Sequence, residues 1–473
     1  MPLILGTNSI KDTGYEVANS CRFDGSNDYF TKTFGSDPTS TRIGTVSYWC
    51  KRSSFGASIA GGLTTSGNGS SYMTNFNSSD QIDFWFYYPG SGDYYEGELK
   101  TNAVFRDPSA WMHVLFSYDT TQSTNTNRLK LFINGTQVTS LATATYPDQN
   151  QDVYWGTQTQ HRVGANPDTA ASKWNGYMAE VAYVDGVAHA VTDFGEFDSD
   201  SPTIWKPKDI SSGITWGTNG FYLDFEDSSA LGDDVSGNNN DWTATGIAAV
   251  DQATDTPTNN FATLNPLNQG QDQTAVFTEA NLEYESTQTG SSYPRGISSI
   301  GVNSGKWYME IKNLDSEAVM IGISNGDGNN RLFADNTNDI GYHTNGNKYV
   351  NGSGSSYGDT YTTNDIIGIA LDMDNHKLYF SKNGTFQDSG DPTSGATGTG
   401  AISVTDPSAT GFYFFTVGDP SSAGTPNVAC NFGNPSFSIS SSQADDNGYG
   451  NFEYDVPSGF YALCTKNLAE FGG

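Results

Sequence analysis

Short apolar runs, broken every few residues by turn formers, recur along the whole 473-residue chain. Val114-Leu-Phe-Ser-Tyr118, Leu129-Lys-Leu-Phe-Ile133, Ile366-Ile-Gly-Ile-Ala-Leu371, Lys377-Leu-Tyr-Phe380 and Phe412-Tyr-Phe-Phe-Thr-Val417 are β-branched or aromatic, and each has the length of a strand. The dipeptides Asn134-Gly135, Asp185-Gly186, Asn345-Gly346 and Asn383-Gly384 supply the residues that tolerate positive φ, and so predict tight hairpins. No stretch keeps a helical three-to-four spacing of apolar residues for three turns. The pattern predicts an all-β protein.

Two segments look alike. Arg128 to Val138 and His376 to Phe386 each read as a strand, an Asn-Gly-Thr turn and an apolar return. Asn219-Gly-Phe-Tyr-Leu-Asp224 and Ser458-Gly-Phe-Tyr-Ala-Leu463 extend the likeness to the ends of two units. Two related antiparallel β-sandwiches in tandem account for both observations; chance convergence of two strand–turn–strand units is the alternative. The expected division is an N-terminal arm over 1–20, a first sandwich over 21–210, a connecting segment over 211–270 partly packed on that sandwich, and a second sandwich over 271–473. Within the connection, residues 251–267 carry two prolines and no strand period, and read as a linker pinned by Phe261, Leu264 and Leu267.

Composition agrees with many strands and many turns. Aromatic residues make up 13% and charged residues only 16%, with 53 glycines. The net charge of −31 repels phosphate backbones and anionic membrane surfaces, so neither nucleic acid nor membrane insertion is expected. The N-terminal residues lack the basic flank and long apolar core of a secretory signal. Cys21, Cys50, Cys430 and Cys464 form no C-x-x-C pair and read as small buried apolar residues, with a disulfide the alternative.

Several segments, taken in order, resemble known families. Arg22-Phe-Asp-Gly-Ser-Asn-Asp-Tyr-Phe30, Val46-Ser-Tyr-Trp-Cys-Lys51, Trp111-Met-His-Val114, Leu131-Phe-Ile-Asn-Gly135 and Gly176-Tyr-Met-Ala-Glu-Val181 are similar to a laminin-G, concanavalin-A-like jelly roll. Gly305-Lys-Trp-Tyr-Met-Glu-Ile311, Met320-Ile-Gly-Ile-Ser324, Gly368-Ile-Ala-Leu-Asp-Met-Asp374 and Leu378-Tyr-Phe-Ser-Lys-Asn-Gly384 resemble a SPRY domain. The combination, with Asn19-Ser-Cys-Arg-Phe-Asp24, Val104-Phe-Arg-Asp-Pro-Ser-Ala-Trp111 and Thr256-Pro-Thr-Asn-Asn-Phe-Ala-Thr-Leu264, resembles structural proteins of marine tailed bacteriophages. That resemblance implies a virion protein made in the host cytoplasm. Its implied partners are other virion proteins, met through the arm or a sandwich face. A homotrimer is left open by that implied setting, although no heptads argue for it.

Concanavalin-A-like sandwiches include glycosidases, which need two opposed carboxylates. The E-x-D-x-x-E spacing is absent, and Glu283-Tyr-Glu285 lacks a third carboxylate, so it reads as a solvated strand face. The five histidines are scattered without metal-ligand spacing. No catalytic residue is predicted and no cofactor is required. Calcium is the one ion the sequence leaves open, at Asp24, Asp28 and Asp327 in oxygen-rich loops; Asp and Asn are also ordinary turn residues.

Aromatic residues give the binding expectation. In Asp83-Phe-Trp-Phe-Tyr-Tyr88, Trp85 and Tyr87 share one strand face, while Phe84, Phe86 and Tyr88 share the other, and one face must be core. Tyr342, Tyr349 and Tyr357 lie among Gly, Asn and Ser, the composition of an adaptable recognition loop, with a solvated loop the alternative. The residues predict a non-enzymatic binding protein, and the phage resemblance implies that it is a virion protein, in a tail fibre or attached to the capsid. It would present sandwich loops to a host-surface glycan or protein, with multivalency supplying affinity. A purely structural capsid-decoration or tail-assembly role is the alternative, and a polysaccharide-degrading enzyme ranks behind both.

Overall fold

A computed structural model of the chain describes residues 10, 12–57, 59–67, 70–87, 95–166, 170–269, 275–287, 293–326, 333–407, 410–421 and 424–472. The chain is all-β and divides into two compact units, one of Thr13–Thr258 and one that takes in Asn259–Gly473.

The first unit is two stacked antiparallel sheets. One runs Thr136–Gln137, Leu129–Ile133, Trp111–Asp119, Ile43–Arg52, Asn175–Asp185, Ser20–Asp24 and Gln252–Ala253, with Phe221–Leu223 also on Asn175–Asp185. The other runs Leu141–Thr145, Tyr95–Thr101, Ile82–Tyr87, Ser70–Phe76, Ile59–Gly67, Gln160–Val163, Tyr29–Thr33 and Thr243–Thr245. Alternation decides which side chains meet between the sheets. Val114, Phe116 and Tyr118 face Phe84, Phe86, Leu99 and Trp155 in one core. Leu115 points the other way, into a second cluster with Trp49, Trp205, Trp216 and Tyr222 beneath the segment that follows residue 186.

The second unit repeats this plan. Its larger sheet runs Ala275–Thr278, Glu283–Ser286, Asn427–Asn431, Lys306–Asn313, Ile366–Asp372, Lys377–Lys382 and Thr385–Phe386, with Ile402–Ser403 and Tyr461–Ala462 added at the sides. The smaller sheet runs Arg295–Ile297, Phe414–Gly418, Met320–Ser324, Ile340–His343, Asn347–Val350 and Ser353–Ser356. Trp307, Met309, Ile311, Ile367, Ile369 and Leu371 fill the core between them.

The two Asn-Gly-Thr turns are structural equivalents. Asn134 and Gly135 have φ of 45° and 75°, and Asn383 and Gly384 have 47° and 80°, the doubly positive geometry of a two-residue hairpin. Each Asn binds the neighbouring strand twice. The His113 N–H donates to Asn134 Oδ1 at 2.8 Å, and the Ile366 N–H to Asn383 Oδ1 at 2.9 Å. The Asn N–H groups return bonds to the His113 and Ile366 carbonyls at 3.0 and 2.8 Å. The Gly-Phe-Tyr likeness is more limited. Phe221–Leu223 pairs antiparallel to Asn175–Asp185, whereas Tyr461–Ala462 pairs parallel to Lys306–Asn313. Both segments bury a Phe, Phe221 and Phe460, but they run in opposite senses along the strand they join.

Residues 1–9 and 11 of the expected arm lie outside the described residues. Thr13–Asn19 is packed on the first unit, with Val17 buried beside Trp49 and Trp205. Residues 211–258 complete the same unit through Trp216, Phe221, Leu223 and Trp242. Asp255 anchors the end of this stretch, fully buried between the Lys51 ammonium at 2.6 Å and the Trp111 indole N–H at 2.8 Å. Beyond it, Phe261 and Leu264 are buried in the second unit as expected, but Leu267 is exposed and pins nothing. All four cysteines are free and buried.

Candidate binding surfaces

The outer face of the first unit's second sheet carries an aromatic residue beside a group of charged ones. Phe84 and Phe86 are core residues, so Asp83 and Trp85, one position out of phase, stand on the outer face. The adjacent strand places Glu98 opposite Trp85 and Lys100 opposite Asp83. Lys100 Nζ reaches Glu98 Oε1 at 2.5 Å and Asp83 Oδ2 at 3.4 Å, so one ammonium serves two carboxylates. Burial pushes the Asp83 carboxyl upward, Lys100 opposes this, and Glu98 adds to it. Burial works to lower the Lys100 ammonium, but the hydrogen bond to Glu98 and the two carboxylate charges win and raise it. The result is a partly exposed indole beside an acid–cation–acid row whose Asp83 and Glu98 are largely buried. Tyr87 ends the same strand, opposite Ser71 and Tyr95, and its side chain lies outside the described residues.

The sequence singled out Trp85 and Tyr87 but not Asp83, Glu98 or Lys100. The within-strand signal was present: Asp83-x-Trp85 and Glu98-x-Lys100 each put two residues on one face. What joins the two pairs is the register between strands, which no local pattern encodes.

The tyrosine expectation needs correction. Residues 340–356 are three strands of the second unit's smaller sheet rather than a loop. Tyr342 is fully buried, and its hydroxyl donates to the Asp359 carbonyl. Tyr357 is buried against it, with ring centroids 5.4 Å apart, and its hydroxyl accepts the Phe380 N–H at 3.3 Å. Both phenols are therefore used inside the second core and leave the candidate ligand set. Tyr349 is half-buried against Met320 and Phe333.

The calcium expectation also meets a different use of its ligands. Asp24 Oδ1 accepts the N–H groups of Ser26 and Asn27 at 2.7 and 3.0 Å, and Asp28 Oδ2 accepts the Asp24 N–H at 2.9 Å. Burial works to raise the Asp24 carboxyl, but these bonds and the Ser26 hydroxyl outweigh it and hold it low. The two carboxylates close the turn from within. Asp327 lies outside the described residues, and among those described no three His, Cys, Asp or Glu side chains converge as a metal site. Glu283 and Glu285 flank the buried Tyr284 and face outward.

Glu180, Glu310, His113 and His161 are further titratable groups buried in the two units. Glu180 sits at a one-residue bulge with φ of 52°, where its carboxylate accepts from the Tyr222 hydroxyl at 2.7 Å. Burial pushes it up to about 8. In the second unit Glu310 accepts the N–H groups of Glu453 and Tyr454, both at 2.9 Å, and burial pushes it up to about 7. His113 is stacked between Trp49 and Trp205. The Trp205 indole N–H donates to its Nδ1 at 3.1 Å, so Nε2 carries the proton and donates to the Ser47 hydroxyl. Burial drops His113 to about 3 and His161 to about 4.

Comparisons with known proteins agree with this architecture. Residues 24–190 match the family described as the concanavalin A-like lectin/glucanases superfamily, and residues 306–403 match the SPRY domain. Among curated proteins, an ATP-dependent RNA helicase DDX1 of Xenopus laevis is 37% identical over 84 residues, covering 18% of this chain and 11% of that protein. The chain thus spans only about a ninth of that relative's length. Among solved structures, the SPRY domain of human HERC1 aligns over 35% of this chain and 96% of its own, with 22% identity and a TM-score of 0.28. A further human SPRY domain aligns over 33% and 94%, with 15% identity and a TM-score of 0.24. A region similar to laminin-G-type, concanavalin-A-like domains is thus followed by one similar to SPRY domains, and no enzyme family is indicated for either part beyond the lectin/glucanase grouping of the first.

Proposed function

We propose that this pairing of a concanavalin-A-like domain with a SPRY domain is a glycan-binding virion protein of a tailed bacteriophage, mounted on the particle to engage the host surface. The observation that carries the binding reading is the partly exposed Trp85 beside the Asp83–Lys100–Glu98 row. An indole face is large, rigid and apolar, and packs against the C–H face of a pyranose. The adjoining carboxylates accept hydrogen bonds from sugar hydroxyls, and the ammonium donates to them. This is the lining expected of a ligand site: an apolar platform with a few fixed polar groups.

The virion setting rests on the resemblance of the N-terminal and linker segments to phage structural proteins. It is supported by the logic of repetition, since many copies on a particle strengthen a weak sugar site roughly 10²–10⁴-fold without new contacts. The test is an array of bacterial surface polysaccharides probed with the intact chain and with Trp85→Ala. Binding to a defined set that Trp85→Ala abolishes supports the reading. Equal binding by both chains overturns the site. Cryo-electron microscopy of the particle tests the setting: density for this chain on the exterior supports it, and both sandwiches buried against capsid or tail point to the purely structural role.

A further inference from the structure

The first sheet of the first unit buries a lysine on the face away from the sandwich core. Cys50 points into the core between the sheets, so Lys51, like Trp49, points the other way. There Lys51 stands opposite Trp111 on one neighbouring strand and Tyr177 on the other. The end of the connecting segment covers them, with Asp255, Thr256 and Thr258 all buried. The Ser20 hydroxyl donates to the Asp255 carbonyl at 2.6 Å, and the Val17 N–H to the Thr258 hydroxyl at 3.2 Å. One amine and one carboxyl, 204 positions apart in the chain, are thereby held at 2.6 Å.

Three features set this pair apart from an ordinary ion pair. Both side chains are at most 1% exposed, whereas the ion-paired Lys100, Lys206, Lys306 and Lys382 keep 13 to 27%. Two charges are costly to hold away from water, and burial lowers the Lys51 ammonium although Asp255 and Asp107 oppose it. The neutral amine so favoured is the nucleophilic form of lysine. The two carboxylate oxygens are also bound differently, Oδ2 by Nζ and Oδ1 by the Trp111 indole N–H at 2.8 Å. A donor on one oxygen stabilises the charge that gathers there when the carboxyl carbon is attacked. Finally, the Tyr177 ring lies 5.6 Å from Nζ, and the Trp111 ring 6.2 Å from that of Tyr177, so aromatic surface walls the pair. The fold supplies the proximity that the same condensation lacks between free groups in water.

We propose that Lys51 and Asp255 condense to an intramolecular isopeptide bond. The ammonium gives one proton to Oδ2, and the amine Nζ then attacks Cγ while negative charge develops on Oδ1 against the Trp111 N–H. A second proton passes from Nζ to Oδ2, the Cγ–Oδ2 bond breaks, and Oδ2 leaves as water. One neutral amide replaces two buried charges, and no oxidant or cofactor takes part. The bond ties the end of the first unit to an inner strand of its sheet, so tension along the chain bypasses residues 52–254. It uses no residue of the Trp85 face and stands or falls separately from the proposed function.

The test is mass spectrometry of the intact chain, denatured after storage until its mass no longer changes. A mass lower than that of the sequence by one water is expected. Trypsin should fail to cut after Lys51, and digestion should yield one branched peptide joining the residues around Lys51 to those around Asp255. Lys51→Arg keeps a cation for Asp255 but offers no attacking amine, so it should show the full mass and linear peptides. The decisive readout is the denatured wild-type chain, and an unstable variant does not obscure it. Full mass with linear peptides in the wild type overturns the proposal and leaves a buried ion pair only. A lost water that maps to other residues, or that persists in Lys51→Arg, overturns it as well.

Discussion

Replacing Glu180 by Gln should remove an alkaline weakness from the first unit. Glu180 is 4% exposed, at a bulge where a non-glycine residue takes φ of 52°, and its main partner is the Tyr222 hydroxyl at 2.7 Å. Burial is the largest influence on it and pushes the carboxyl from 4.5 to about 8; hydrogen bonds from Tyr222 and Tyr15 oppose the rise, and Asp224 and Glu226 add to it. A carboxyl raised on folding contributes stability that is fully present below the unfolded value near 4.5 and is lost as pH rises through about 8. Each tenfold change in proton affinity is 1.36 kcal/mol, so complete ionisation in the folded state costs about 4–5 kcal/mol at most. Glutamine keeps an acceptor for Tyr222 and never ionises. Urea unfolding of the intact chain should therefore show Glu180→Gln about equal to wild type, or up to about 1 kcal/mol weaker, at pH 5. At pH 9 the variant should be about 2–4 kcal/mol more stable in the transition of the first unit. A difference between variant and wild type that is the same at pH 5 and pH 9 refutes the account of Glu180 as a carboxyl protonated in the fold.

Glu310→Gln should behave in the same way in the second unit, with wild-type stability falling as pH rises through about 7, read from the same urea curves. The histidines act in the opposite direction. His113 and His161 are depressed by burial to about 3 and about 4, so their contribution is complete above about 6.5 and is lost as pH falls toward those values. Thermal unfolding should therefore show the first unit weakening between pH 6 and pH 4, and a flat profile there contradicts the buried neutral imidazoles. Asn134→Ala and Asn383→Ala each remove a cross-strand hydrogen bond and place a side chain without a polar end at positive φ, so each should cost about 1–3 kcal/mol in urea unfolding. Asparagine-to-glycine at either turn should cost less than alanine, because glycine accepts that φ. All four thiols should resist an aromatic disulfide reagent in the native chain and titrate fully in denaturant without reductant; fewer than four in denaturant contradicts the free state.

What was legible in the sequence was whatever depends on neighbours along the chain. The Asn-Gly turns fixed their own hairpins because φ above zero at two successive positions suits few other residue pairs. The alternation around Trp85 divided core from surface once either face was assigned, and Phe84 and Phe86 supplied the core side. Gly, Asn and Ser around Tyr342 and Tyr357 look like a loop, whereas Tyr342 lies on a strand, Tyr357 directly follows one, and both rings turn inward. The Gly-Phe-Tyr segments shared a buried ring but not a direction, since strand sense is set by where the chain arrives from. The Lys100 bridge and the Lys51–Trp111 pairing depend on register between strands, and that is settled by packing of the whole sheet. Leu267 carried an apolar side chain without a surface to bury it.

The central claim is that the outer sheet face around Trp85 holds a glycan. Its most direct test is a titration of the intact chain with the polysaccharide that gives the strongest array signal, comparing wild type, Trp85→Phe and Trp85→Ala by calorimetry. A stacked indole worth about 1–3 kcal/mol predicts partial retention by Phe and a loss of roughly tenfold or more by Ala, with all three chains equally stable to heat. Affinity for that polysaccharide unchanged in Trp85→Ala would show that the ligand sits elsewhere and that this face is not the binding site.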